Sequence, residues 1–168
     1  MKIGIISDTH GDVRRTDAAV EKLLGQGVSV ICHCGDVGSE SVLIALAAAC
    51  LPKGIPVHAV LGNVDHWEIG VRDFPAGAGV RVHGRRALLE LEGRKLIVVH
   101  GDDPHLLFDA VRSQLYDYCL TGHTHVAEDF TEGRTRVINP GAVYRAQTPS
   151  VAVLDLASDV LQVMPLRG

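Results

Sequence analysis

Apolar and polar positions come in blocks along this chain, and the blocks predict its elements. Lys2–Ser7 is apolar on both faces, as a central strand covered on both sides would be. After Asp8-Thr9-His10-Gly11, Asp12 caps a helix predicted over 13–26, with Val13, Val20 and Leu24 on one face and Gly27 past its end. Val28–Cys34 is the next strand and runs into Gly35-Asp36. Ser39 or Ser41 caps a second helix with an apolar stripe of Val42, Leu43, Leu46, Ala47 and Cys50, stopped by Pro52 and Gly54. Pro56–Leu61 is a third strand, ending in Gly62-Asn63. This β-α-β-α-β order implies parallel strands joined by right-handed crossovers.

The second half changes character. His66–Gly79, with its Gly and Pro residues, reads as a loop region without an assigned element. Ala87–Glu92 and Arg94–His100, separated by Gly93, predict a hairpin with a tight turn. Asp103-Pro104 is a helix start, a cap followed by proline at the first helical position, and Leu106, Leu107, Ala110, Val111 and Leu115 give that helix its buried face. Tyr116–Thr121 is a strand into Gly122-His123-Thr124-His125. Two hairpins follow, Glu128–Thr131 with Arg134–Ile138 and Val151–Leu156 with Val160–Met164. The architecture expected is α/β, a β-sandwich-like core of mixed strands flanked by helices.

The polar blocks carry the candidate chemistry. Asp8-Thr9-His10, Gly35-Asp36, Gly62-Asn63-Val64-Asp65, His100-Gly101 and Gly122-His123-Thr124-His125 each sit just after, or at the end of, a predicted strand. Strand ends are where open α/β sheets place their ligands, so these clusters are expected to converge on one sheet edge. Taken singly, an aspartate after a strand is a turn or cap residue and a histidine is a surface or hydrogen-bonded one. Taken together they supply Asp, Asn and His in the number that two metal ions need.

Length and charge narrow the setting. At 168 residues, 46% of them hydrophobic, the chain reads as a single domain, 1–168, with an ample core. The net charge of −4 leaves no footprint for nucleic acid or an anionic membrane. The opening apolar run is too short for a signal peptide and no stretch reaches a membrane span, so a cytoplasmic protein is expected. Cys32 and Cys34 share a strand face opposite to His33, which argues against a zinc site, and all four cysteines read as small buried residues. His33, His58, His83 and His105 read as structural or surface residues, and Arg14-Arg15 and Arg85-Arg86 as solvated charge, with one of the two arginine pairs a candidate to meet a substrate phosphate.

In order and spacing, Asp8-x-His10, Gly35-Asp36, Gly62-Asn63, His100 and Gly122-His123-x-His125 resemble the calcineurin-like metallophosphoesterase superfamily, over nearly the whole chain. The compact length and Asn139-Pro140-Gly141 resemble its small prokaryotic branch, the YfcE-like phosphodiesterases. The resemblance implies a four-layer α/β/β/α sandwich of two mixed sheets and a site of two divalent transition-metal ions, manganese first and iron, zinc, nickel or cobalt next. It implies that Asp8, His10 and His125 hold one ion, that Asn63, His100 and His123 hold the other, and that Asp36 bridges them, with Asp36, Asn63 and His100 closest to the chemistry. A shared carboxylate suits such a pair, since cations about 3.5–4 Å apart need an anionic ligand with two acceptor oxygens. The reaction implied is attack on a small-molecule phosphodiester by a hydroxide held between the ions, with no nucleic-acid or membrane partner and with a homo-oligomer left open.

Three positions depart from the family pattern. Val64 stands where many relatives carry a histidine that protonates the leaving group, Asp102 where many have another histidine, and Ala142 where a serine often follows Asn-Pro-Gly. Asp65 and His66 are the nearest candidates to supply or orient a proton through water. Two other classes compete with the hydrolase reading. One is a non-catalytic scaffold resembling the retromer subunit of this fold, which replaced ligands would favour. The other is a metal hydrolase of another bond such as a β-lactam, which announces itself with a denser H-x-H-x-D-H cluster.

Overall fold

The computed structural model describes residues 1–166. The first crossovers follow the predicted order: β1 (Lys2–Ile6), α1 (Val13–Leu24), β2 (Val30–His33), α2 (Glu40–Cys50) and β3 (Val57–Ala59). Asp12 caps α1 by accepting the Arg15 N–H, and Ser39 is the N-cap of α2 without a side-chain bond to it. The region left unassigned by pattern holds a 3₁₀ turn at Asp65–Trp67 and the short α3 (Ile69–Arg72), after which β4 (Val80–Val82) adds itself parallel to β3. The three residues of β4, in a four-residue stretch between Gly79 and Gly84, are too few for a period-2 signal, which is why β4 escapes a reading of the sequence.

The predicted hairpins form as β5 (Arg86–Leu91) with β6 (Arg94–Val99), β8 (Ala127–Glu132) with β9 (Thr135–Pro140), and β10 (Ser150–Asp155) with β11 (Val160–Pro165). Between the first two hairpins lie α4 (Pro104–Arg112) and β7 (Tyr118–Leu120). Asp103 caps α4 by accepting from His105 and Leu106, with Pro104 in the first turn. Leu115 is a correction: α4 ends at Arg112, Gln114 turns left-handed with φ 55°, and Leu115 lies beyond the helix, 63% exposed.

The strands make two mixed sheets. One has the order β11-β10-β1-β2-β3-β4, the other β5-β6-β7-β9-β8. Three apolar layers hold the four structural layers together. α1 and α2 bury Leu23, Leu43 and Leu46 against the outer face of the first sheet. Ile3, Ile5, Leu96, Val98, Leu120 and Leu154 fill the space between the sheets. Ala110 and Val111 of α4 cover Ile97, Val99 and Val137 on the second sheet. Each large side chain so buried contributes about 1.5–3 kcal/mol relative to exposure. The expected α/β/β/α sandwich is thus the one observed.

Candidate metal centre

β1, β2 and β3 of one sheet and β6 and β7 of the other all end toward the polar clusters. The expectation of one sheet edge is therefore corrected: the site lies where the ends of both sheets meet, because the sheets are stacked face to face. Past β1 and β2 the ladder continues irregularly. The N–H groups of Asp8, His10 and Gly11 donate to the carbonyls of Gly35, Asp36 and Val37 at 3.0, 3.0 and 2.8 Å, which draws the two loops together.

Backbone conformation concentrates here. Asp8, His10, Asp36, His123, His125 and Arg145 have φ of 55°, 45°, 52°, 69°, 60° and 56°. A left-handed conformation costs a non-glycine residue about 1–3 kcal/mol, so the surrounding bonds must hold it. The motif glycines have a related origin: a Cβ on Gly35 would come within 2.7 Å of His100 Nδ1, and one on Gly62 would collide with Asp36 Oδ1.

Five of the seven candidate ligands meet. His125 Nε2 lies 3.1 Å and His10 Nε2 3.9 Å from Asp8 Oδ1, and these two nitrogens are 3.3 Å apart. Asp36 faces His100 Nε2 at 3.3 Å and His10 Nε2 at 3.8 Å. The donor atoms form two overlapping triads, Asp8-His10-His125 and Asp8-Asp36-His100, each with all its atoms within 4.8 Å of one another. The other two are looser. The His123 ring packs edge-on to His100 with centroids 5.1 Å apart, while the His123 backbone N–H donates to Asp8 Oδ2 at 3.1 Å. Asn63 is exposed in the turn after Gly62, and among the described residues its side chain makes no hydrogen bond to the cluster.

The hydrogen bonds behind these groups decide which atoms are left for a cation. Asp8 Oδ2 accepts from Ser7 Oγ at 2.6 Å and from His123, while Oδ1 is buried without a partner. The Cys34 carbonyl lies 2.8 Å from His100 Nδ1 and can only accept, so Nδ1 carries hydrogen and Nε2 is turned to the centre, buried and likewise without a hydrogen-bond partner. The Arg145 carbonyl orients His125 in the same way through Nδ1 at 3.1 Å. Two imidazole nitrogens 3.3 Å apart, that of His125 with its lone pair turned inward, an orphaned carboxylate oxygen and an orphaned imidazole nitrogen form a donor set that suits a bound cation.

Electrostatics agree. Burial alone would lower the His100 pKa, but the Asp36 carboxylate, with an oxygen 3.3 Å from Nε2, outweighs this and holds it raised. Asp36 is held below the usual carboxylate range: burial pushes it up, but His100 foremost, with the Val64 N–H and His10, outweighs this. His10 is lowered by burial in spite of Asp36 and Asp8. The site thus favours a positive charge between its carboxylates, and a divalent ion would supply it.

Other expectations need correction. Asp65 is not free to move a proton. It accepts the N–H groups of Val37, Gly38 and Gly62 at 3.1, 2.8 and 2.8 Å, fastening the loop after β2 to the loop after β3. Burial raises its pKa while those backbone bonds oppose the rise. His66 Nε2 lies 2.8 Å from Arg85 Nη1, which can only donate, so that nitrogen is an acceptor. Arg85 also pairs with Asp102 and Asp103 at 3.2 and 3.6 Å, and is not a solvated charge.

His33 is structural. Thr9 Oγ1 donates to the Val37 carbonyl and so accepts from His33 Nε2, while His33 Nδ1 accepts from Gly35 N–H. The ring is held neutral, its pKa pushed down to about 3 by burial and by His100. His58 and His83 pair with each other at 2.9 Å, and His105 is exposed. Cys32 and Cys34 are free and buried, with the Cys32 thiol raised to about 12 by burial. Ser7, the Cys34 and Arg145 carbonyls and the left-handed backbone leave no pattern in a sequence. Asn139, whose Nδ2 donates to the Gly122 carbonyl at 2.8 Å and braces the loop of His123 and His125, was visible only as part of Asn-Pro-Gly.

A family model for the calcineurin-like phosphoesterase superfamily domain matches residues 1–159. The chain belongs to the calcineurin-like phosphoesterase superfamily. A phosphodiesterase of Methanocaldococcus jannaschii is 29% identical over 160 residues, which span 92% of this chain and 93% of that protein. A solved archaeal phosphodiesterase superposes with a TM-score of 0.87 at 28% identity, covering 99% of this chain and 100% of the other. The Escherichia coli phosphoesterase YfcE shares the fold, with a TM-score of 0.70 at 21% identity over 99% and 100% of the two chains. The small prokaryotic branch of the superfamily is thus where this phosphoesterase falls. Among its described residues no helix is long and apolar enough to cross a membrane.

Proposed function

We propose that this phosphoesterase is a phosphodiesterase dependent on two divalent cations, held by Asp8, His10 and His125 on one side and by Asn63, His100 and His123 on the other, with Asp36 reaching both. The observation that carries the reading is the pair of buried, unpartnered atoms, Asp8 Oδ1 and His100 Nε2, each in a triad of donor atoms. Mixed carboxylate and imidazole donors are compatible with manganese, and iron, zinc, nickel and cobalt share the preference for such a set. When bound, such ions lower the pKa of water and neutralise charge that builds on phosphoryl oxygens. The chain's own part is positional. Ser7 and the His123 N–H hold Asp8 so that one oxygen faces inward. Cys34 and Arg145 present the Nε2 atoms of His100 and His125.

Val64 lies beside the site, its N–H bonded to Asp36 Oδ1 at 3.1 Å, and its side chain has no proton to give. Asp65 is fully engaged and His66 Nε2 accepts from Arg85, so neither that carboxylate nor that nitrogen replaces the missing donor. Departure without a proton favours leaving groups that are stable as anions, which argues for aryl over alkyl esters. Four free, buried cysteines suit a reducing compartment, consistent with action in the cytoplasm on a small-molecule ester.

The test pairs elemental analysis with hydrolysis of bis(p-nitrophenyl) phosphate. The expected result is two ions per chain, turnover abolished by a chelator and restored by manganese, and much slower turnover of an alkyl monoester. One ion or none at full activity overturns the dinuclear reading. Two ions without turnover of any diester favour the scaffold alternative instead.

A further inference from the structure

On the His10 and His125 side, the site is bordered by a cationic lip. The Tyr144 ring lies 6.2 Å from the His10 ring, centroid to centroid. Arg15 and Arg145 place their guanidinium carbons 5.5 and 5.4 Å from the Tyr144 centroid, so one ring serves two cations. The two differ in what else they touch. Arg15 Nε is 3.5 Å from the Asp12 carboxylate that caps α1. Arg145 is exposed, and among the described residues its guanidinium has no carboxylate within 4.0 Å. Its backbone is nonetheless fixed, left-handed at φ 56° and bonded through its carbonyl to His125. An unpaired cation therefore leaves a rigid point directly beside a candidate metal ligand.

Next to it opens a groove of about 560 Å³ whose lining includes Thr124, His125, Val126, Arg145, Gln147 and Val163. That volume lies in the range of small-molecule sites, about 300–1,000 Å³. Val126 and Val163 offer it apolar surface, Thr124 and Gln147 polar contacts, and His125 joins it to the metal-ligating cluster. The arrangement suits an organic arm that starts at a phosphoryl group over the cluster and ends in a negative charge at Arg145. Tyr144 supports this role, since a guanidinium laid on a ring keeps its hydrogen-bonding edge available to a planar or tetrahedral oxyanion.

We propose that this groove is a subsite for the retained arm of the diester, and that the preferred substrates carry on that arm a second anionic group, a carboxylate or a phosphate, bound by Arg145. The proposal rests on the phosphodiesterase reading and narrows its substrate class.

Binding and turnover together test it. In titrations of the metal-loaded protein, 4-carboxyphenylphosphonate should bind about tenfold more tightly than phenylphosphonate, the scale of one charge-assisted hydrogen bond. Arg145→Gln should bring the ratio close to one, and Arg145→Lys should keep much of it. Equal binding of the two ligands by the wild type, or a ratio that survives Arg145→Gln in a folded variant, overturns the subsite. In parallel, p-nitrophenyl esters of phenyl and 4-carboxyphenyl phosphate share one leaving group and differ only in the retained arm. The second should show the higher kcat/KM, through KM, in wild type and not in Arg145→Gln. If neither ester turns over while the Arg145-dependent binding preference persists, the subsite stands and the hydrolytic reading falls. If both esters turn over with no preference, the hydrolytic reading stands and the subsite falls. Binding and selectivity at the second phosphate are checked by replacing the carboxylate with a phosphonate in the same pair.

Discussion

The two sides of the candidate metal centre are built differently. On the side of Asp8, His10 and His125, with Asp36 between, the groups are clamped: Ser7 holds Asp8, the Arg145 carbonyl holds His125, the Val64 N–H holds Asp36, and His10 is tied through its main-chain N–H to the Asp36 carbonyl. On the other side only the His100 ring is so held, by the Cys34 carbonyl. Asn63 and His123 are exposed, and only the main chain of His123 is tied to the cluster. The clamped side is preorganised for a cation, whereas the open side still has side-chain freedom to lose when it closes on one. A site of this kind should fill in order, tightly on the first side and more weakly on the second.

The largest effect comes from removing what joins the sides. Asp36→Asn deletes charge facing both His10 and His100, and should lower diesterase kcat/KM by about 10³-fold while reducing affinity for both ions. Asn63→Ala should weaken one ion only and leave the first at full occupancy in a stepwise metal titration. If Asn63→Ala costs both ions equally, the two sides are a single unit and the contrast fails.

Val64→His probes the open side from another angle. Position 64 follows Asn63, and its N–H already contacts Asp36. An imidazole there that reaches the departing oxygen should act as general acid, a role worth about 10²–10⁴-fold. The gain should appear with alkyl esters and shrink with nitrophenolate, flattening the dependence of rate on leaving-group pKa. Parallel dependence in wild type and variant at matched metal occupancy would mean that the side chain at 64 points elsewhere.

The smallest effect concerns the frame of the clamped side. His33 is buried and neutral, its pKa lowered from the ordinary 6.5 to about 3 by burial and by His100. The unfolded chain binds this proton first, so the contribution of His33 is fully present above pH 6.5 and declines as pH falls toward 3. Its slope is at most about 1.4 kcal/mol per pH unit. Urea unfolding of chelator-treated protein between pH 7 and pH 4 should show the decline, shallower in His33→Gln. Equal slopes in the two proteins would place the acid sensitivity in other histidines.

Much of this was written in the chain. Period-2 and period-3.6 runs, with Asp12 and Asp103 caps, located the three longer helices, the strands on either side of them and three hairpins, but not α3, because those signals are local and each is confined to a few neighbouring residues. The seven candidate ligands stood out for the same reason, each beside a strand end. What the sequence could not express is everything that depends on distant atoms. β4 exists because β3 offers it an edge, and Leu115 is exposed because α4 stops at Arg112. Asp65 looked like a proton carrier until three N–H groups from two loops were seen to occupy it. Arg145 had no motif to mark it, and gains its role from Tyr144, His125 and a groove supplied by chain segments from Thr124 to Pro165. Residue type and spacing determine which donors this protein carries. Only the meeting of two sheet edges decides which of their atoms are satisfied from behind and which remain to bind, since a hydrogen bond across 115 residues leaves no local trace.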